Sequence, residues 1–98
     1  MINLLNTKLI NMGTINKNKV VLNLNSKGTL TLFYSYETLI GFSFQYPLGY
    51  LEATIKNLWS NTTGKFLNEI EPDKTKRLNQ KDFNLKLNEV MNLISNYN

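Results

Sequence analysis

Apolar and polar residues alternate through most of the first half of the chain. Lys19 to Asn25 sets Val20, Leu22 and Leu24 on one side, the period-two pattern of a half-buried strand. Thr29 to Tyr36 repeats it, with Leu30, Leu32, Tyr34 and Tyr36 on one face and Thr29, Thr31, Phe33 and Ser35 on the other. Asn25-Ser26-Lys27-Gly28 between them is turn chemistry, so the two segments read as a hairpin. Thr38 to Tyr46 alternates again, Ile40, Phe42, Phe44 and Tyr46 opposing Gly41, Ser43 and Gln45. A glycine inside a strand, here Gly41, marks a bulge or a close backbone approach. Tyr46-Pro47-Leu48-Gly49 turns the chain into Tyr50 to Asn57, with Leu51, Ala53 and Ile55 inward and Glu52, Thr54 and Lys56 outward. An earlier strand around Lys8 to Met12, turning at Gly13, completes a meander of four to five strands. The links are too short for parallel crossovers, so the sheet is antiparallel.

The period changes after Trp59. Ser60, Asn61, Thr62 and Thr63 supply N-cap candidates, and Phe66, Leu67 and Ile70 form a short apolar stripe. Glu71-Pro72 ends that helix, because the residue before proline avoids the α region. Asn79 then caps a longer helix, with Asp82 in its first turn. Phe83, Leu87, Val90, Met91, Ile94 and Tyr97 recur at helical spacing on one side. The expected fold is α+β, a single domain over residues 1–98. Its meander sheet is followed by a short helix and a longer C-terminal helix packed on one face.

Composition narrows the chemistry. The chain has 98 residues, neither Cys nor His, and 42% hydrophobic content. That length supports one modest core. Disulfides, the usual zinc sites and His-dependent triads are excluded for the isolated chain. A carboxylate-bound magnesium site has one cluster to draw on, Glu69, Glu71 and Asp73. No apolar run has the length of a membrane span, and the first residues lack a signal-peptide core. The expectation is a cytoplasmic protein of the host cell, with no enzymatic activity, no cofactor, no metal and no membrane partner.

Charge adds direction. The net charge is +4, and residues 1–36 carry Lys8, Lys17, Lys19 and Lys27 without an acid. Bases and acids cancel over the remainder. A one-sided basic segment attracts a polyanion or an acidic protein surface. Lysines also protect the edge of a sheet from pairing with other chains, and four of them serve that purpose equally well.

Three groups of residues carry candidate binding chemistry. Phe33, Tyr34 and Tyr36 lie in the basic segment, where strand aromatics can stack the bases of single-stranded DNA or RNA. Phe33, flanked by Thr31 and Ser35, is the best candidate for an exposed ring; Tyr34 and Tyr36 share a side with Leu30 and Leu32, and the core claims them as readily. Lys74, Lys76 and Arg77 form a basic loop that, with Lys17, Lys19, Lys27 and Lys65, can contact phosphates. Ser60, Thr62, Thr63 and Lys65 at a helix start can hold one anion, although a plain helix cap uses the same residue types. The Gly64-Lys65 pair is not a phosphate-binding loop, since Trp59 and Phe66 occupy positions where that motif needs Gly and a hydroxyl.

Tyr34-Ser35-Tyr36-Glu37-Thr38 and Trp59-Ser60-Asn61-Thr62-Thr63-Gly64-Lys65-Phe66-Leu67-Asn68, followed by Lys74, Lys76, Arg77 and Phe83, resemble a family of small uncharacterised proteins from phages, prophages and other mobile elements. The resemblance spans residues 14–90, and its Trp-to-Asn decapeptide is the specific part. That family usually has His where this chain has Phe66. The substitution suits a packing role better than a chemical one. The resemblance implies a mobile-element origin and carries no activity with it.

Together these readings lead to a non-enzymatic accessory protein that binds nucleic acid through a basic, aromatic sheet surface. The alternative is an inhibitor of a host defence or regulatory protein, similar in kind to anti-CRISPR factors. A small sheet with a bare edge also allows a homo-oligomer.

Overall fold

The computed structural model describes residues 6–11, 17–56 and 61–96. Trp59, Ser60, the turn at Gly13 and Tyr97 lie outside these residues. Five strands, β1 (Asn6–Asn11), β2 (Asn18–Asn23), β3 (Thr29–Ser35), β4 (Thr38–Tyr46) and β5 (Gly49–Thr54), form one antiparallel sheet in sequence order. Two helices follow, α1 (Asn61–Ile70) and α2 (Gln80–Asn96). The expected meander, short helix and longer helix are therefore present in the expected order.

Register explains how alternation becomes a core. Leu22, Leu30, Phe44 and Leu51 lie in one row across β2 to β5, and Val20, Leu32, Phe42 and Ala53 in the next. Leu30, Phe42 and Phe44 are buried there, with Ile40 and Ile55 beside them. The longer helix packs on this face: the Phe83 ring meets Phe42 at 5.5 Å between centroids, and Val90 and Ile94 are buried with it. Its start is capped as expected, since Asn79 Oδ1 accepts the Asp82 amide at 2.8 Å.

The opposite face is where expectation and structure part. Lys19, Phe33, Gly41 and Thr54 form a row there, and α1 lies on it. Phe66 meets Phe33 edge-to-face, with centroids 6.3 Å apart. A Cβ on Gly41 would approach both Ile70 Cδ1 and Thr54 Cγ2 to 3.1 Å. The two helices thus lie on opposite faces of the sheet. The alternation had marked Ser35, Gly41 and Thr54 as outward and polar, but their small side chains make room for a helix. Ser35 and Thr54 are buried beneath it.

Gly41 fulfils both roles that a strand glycine suggests. Phe33 faces Gly41 while Tyr34 faces Leu39, so Ile40 is the extra residue of a bulge. Crossing from one face to the other requires the chain to round the edge of β5. Leu78 does this by donating its amide to the Thr54 carbonyl and accepting from the Lys56 amide, each at 2.8 Å. Ile55 and Leu78 form a single parallel bridge at that point.

Two turns hold unusual backbone. Gly28 has φ 122°, and a Cβ there would sit 2.2 Å from the Gln45 carbonyl oxygen. Gly28→Ala is expected to cost more than about 1 kcal/mol, read from the midpoint of urea unfolding. Tyr36, in the two-residue loop between Ser35 and Thr38, has φ 55°, a left-handed conformation that disfavours a bulky side chain. Tyr36→Asn is expected to raise stability by roughly 0.5–1 kcal/mol in the same assay, because Asn tolerates this region.

Candidate functional site

The aromatic residues expected to form a platform are dispersed by the fold. Phe33 is half-buried under α1, its ring edge engaged by Phe66. Tyr34 is half-buried on the face that α2 packs against. Tyr36 is 54% exposed at the tip of the β3–β4 hairpin. One face, the other face and a turn do not make a common stacking surface.

The basic residues divide likewise. Lys17 is joined to Glu69 on α1 by an ion pair that ties the approach to β2 to that helix. Lys19 is half-buried on interior strand β2, and Lys27 is half-buried in the β2–β3 turn, at the end of β3 opposite Tyr36. Lys65, Lys74 and Lys76 are exposed. Arg77 is only 6% exposed. Its Nε and Nη2 donate to the Glu71 carbonyl at 3.3 and 3.0 Å, and Nη2 also donates to Asn68 Oδ1 at 2.7 Å. A planar guanidinium fits this fork, and a cation suits the carbonyl end of a helix. Arg77 therefore holds the exit from α1 through its Nε and Nη2 donors.

At the start of α1, the Thr63 hydroxyl lies 2.8 Å from the Ser35 hydroxyl in a buried pair. That hydroxyl locks the helix to the end of β3, the structural side of the two readings of this segment. Lys65 is exposed beside it, while Ser60 and the Thr62 side chain fall outside the described parts of the chain. The loop after Pro72 is ordered by Asp73, whose carboxylate accepts the Thr75 hydroxyl at 2.6 Å and its amide at 3.0 Å. These bonds hold the Asp73 carboxyl below its usual range. The turn they order keeps that contribution above the ordinary carboxylate pKa and loses it as pH falls through the lowered value.

A cleft of about 420 Å³ opens where α1 stops short of the outer part of its face. The sheet contributes Phe33, Ser43, Tyr50 and Glu52, and the end of α1 contributes Glu69 and Ile70. Glu71 and Lys76 complete it. Three carboxylates stand against Lys76 in the lining and Lys17 paired with Glu69, which leaves the site weakly negative although the chain as a whole is basic. Tyr50 Oη donates to Glu52 Oε2 at 2.9 Å. Burial first, then the hydrogen bond to Glu52 and its charge, push the Tyr50 phenol above its ordinary pKa, while Ser43 acts in the opposite direction. Glu71 Oε2 accepts weakly from the Asp73 amide at 3.4 Å. Among the described residues, no group of three or more His, Cys, Asp or Glu side chains is arranged to hold a metal ion. The expected cluster of Glu69, Glu71 and Asp73 is thus split, two acids facing the cleft and the third ordering a turn. Among the described residues, no helix is long and apolar enough to cross a membrane.

Sequence reasoning missed this cleft because its walls are far apart in the chain. The available signal was Glu52 on the same side of the sheet as Ser43 and Gly41, small residues beside a carboxylate.

The structural roles are separable by mutation. Thr63→Val is expected to lower stability by about 1–2 kcal/mol, and Arg77→Lys by about 1–3 kcal/mol, in urea unfolding. Lys65→Ala should stay within about 0.5 kcal/mol of the parent.

No curated protein and no solved structure matches this chain. Its sequence does match one family, over β1 to the first turn of α2, and that match spans the sheet, α1 and every residue of the cleft. The chain belongs to the family of unknown function DUF8033, which it matches over residues 6–85.

Proposed function

We propose that this protein is a non-enzymatic accessory protein of phage or mobile-element type that works by binding a protein of the host cell, such as a defence or regulatory factor. The cleft between α1 and the β4–β5 face carries this reading. It combines aromatic and aliphatic surface with a few polar groups, the composition of a recognition pocket. Tyr50, which lines it, is exposed, as is Leu48 in the β4–β5 turn. Its negative lining repels phosphate.

Nucleic-acid binding keeps the support of the net charge and of exposed Lys65, Lys74, Lys76 and Tyr36. Its expected aromatic platform has less support, since Phe33 lies under α1, Tyr34 on the other face and Tyr36 in a turn. Binding through scattered lysines would be weak and strongly salt-dependent.

The two readings separate in one set of measurements. Tagged protein should retain a specific partner from nuclease-treated host lysate, and the purified pair should co-elute as a complex of fixed stoichiometry. Fluorescence anisotropy with labelled single-stranded DNA and RNA at low salt should show no saturable binding at about 10 μM protein. Tight oligonucleotide binding together with loss of every partner on nuclease treatment would reverse the assignment.

A further inference from the structure

We infer that the cleft is a receptor for an arginine side chain presented by the partner protein, an inference that rests on the protein-binding reading above. Three features select that group. First, the lining has three carboxylates, Glu52, Glu69 and Glu71, against Lys76. Second, Glu69 is taken up by Lys17, but the described hydrogen bonds leave acceptor capacity on the other two acids: Glu52 receives Tyr50, and Glu71 receives the long bond from the Asp73 amide. A carboxylate offers about four acceptor positions, so each can still accept a guanidinium. Third, Phe33, Tyr50 and Ile70 provide flat and aliphatic surface beside the acids. Both basic side chains lay a methylene stem on apolar surface, but only the planar guanidinium stacks flat on an aromatic ring while bonding a carboxylate in pairs.

Lys76 gives the inference a distinctive sign. It lines the cleft with Glu52 and Glu71, while Lys17 is already engaged with Glu69, so it competes with an incoming guanidinium. Removing it should strengthen arginine binding. If Lys76 instead served a nucleic-acid surface, removing it would weaken oligonucleotide binding.

The test uses the full chain and three capped peptides, identical except for a central arginine, lysine or citrulline. Citrulline keeps the shape of arginine without its charge. Amide resonances are followed by two-dimensional NMR during titration at low salt. The arginine peptide is expected to move the signals of Tyr50, Glu52, Ile70 and Glu71 saturably, and to bind about fivefold or more tightly than the citrulline peptide. The lysine peptide should fall between them. Glu52→Gln, which keeps an acceptor for Tyr50, should weaken arginine binding about threefold, and Lys76→Ala should strengthen it about twofold. Equal binding of arginine and citrulline peptides would overturn the inference. So would movement of the cleft signals by single-stranded DNA, or weaker arginine binding in Lys76→Ala. A host partner that binds the Glu52→Gln and Glu71→Gln variants as tightly as the parent would sink the arginine receptor and leave the protein-binding reading standing. Arginine-selective binding with no partner found in lysate would uphold the cleft's chemistry and count against that reading.

Discussion

The structure depends on the passage of the chain around the edge of β5. The segment after α1 must leave one face of the sheet and deliver α2 to the other. Backbone pairing of Leu78 with Thr54 and Lys56 fixes where it crosses. Arg77, one residue earlier, bonds the Glu71 carbonyl and the Asn68 side chain and so fixes where α1 lets go. Neither group is replaceable by burial alone: a guanidinium held this deep costs free energy unless it is hydrogen-bonded, and here Nε and Nη2 bond to groups that need a partner themselves. The crossing also defines the cleft. Because α1 ends at Ile70 and the chain turns away, the outer rows of its face at Ser43, Tyr50 and Glu52 stay uncovered.

The two faces are built by different means. The α2 face is an aliphatic and aromatic core, with Leu30, Phe42, Phe44, Phe83, Val90 and Ile94 closed to solvent. The α1 face is a mixed contact. Phe66 and Leu67 supply apolar burial, Gly41 allows close approach, and the Ser35–Thr63 pair and the Lys17–Glu69 bridge fix the position of the helix. Hydrogen bonds are directional where hydrophobic contacts are not, so this face trades apolar area for definition of where the helix sits.

Much of the fold was readable from alternation and punctuation. The strands around Leu22, Leu30, Phe42 and Ala53, the stop at Glu71-Pro72 and the cap at Asn79 all follow from local rules, and local rules suffice where each residue answers to its neighbours. The division of the helices between two faces does not follow from them. Ser35, Gly41 and Thr54 read as solvent-facing because they are polar or small, yet small residues are also what a packed helix requires. The same limit applies to the candidate site residues. Lys17, Phe33, Thr63 and Arg77 have the right types for a phosphate or base contact, but residue type does not reveal whether a distant segment already uses the group. Glu69 and Glu71, neighbours of Asp73 in the sequence, line a cleft with Glu52 and Tyr50 that only the tertiary fold brings together.

Strand order equal to sequence order has a consequence for how the molecule comes together and comes apart. Each strand pairs with its immediate neighbour in the chain, so the sheet can zip from short loops, with little closure entropy to overcome. The helices are the long-distance closures, and they act on separate surfaces. Release of α1 removes contacts with Phe33, Ser35 and Gly41 without touching those of α2 with Phe42. The molecule therefore contains a natural sub-global opening, in which one layer lifts while the other keeps the sheet intact. Amides of α1 exchange with solvent through that opening, ahead of those in the central strands.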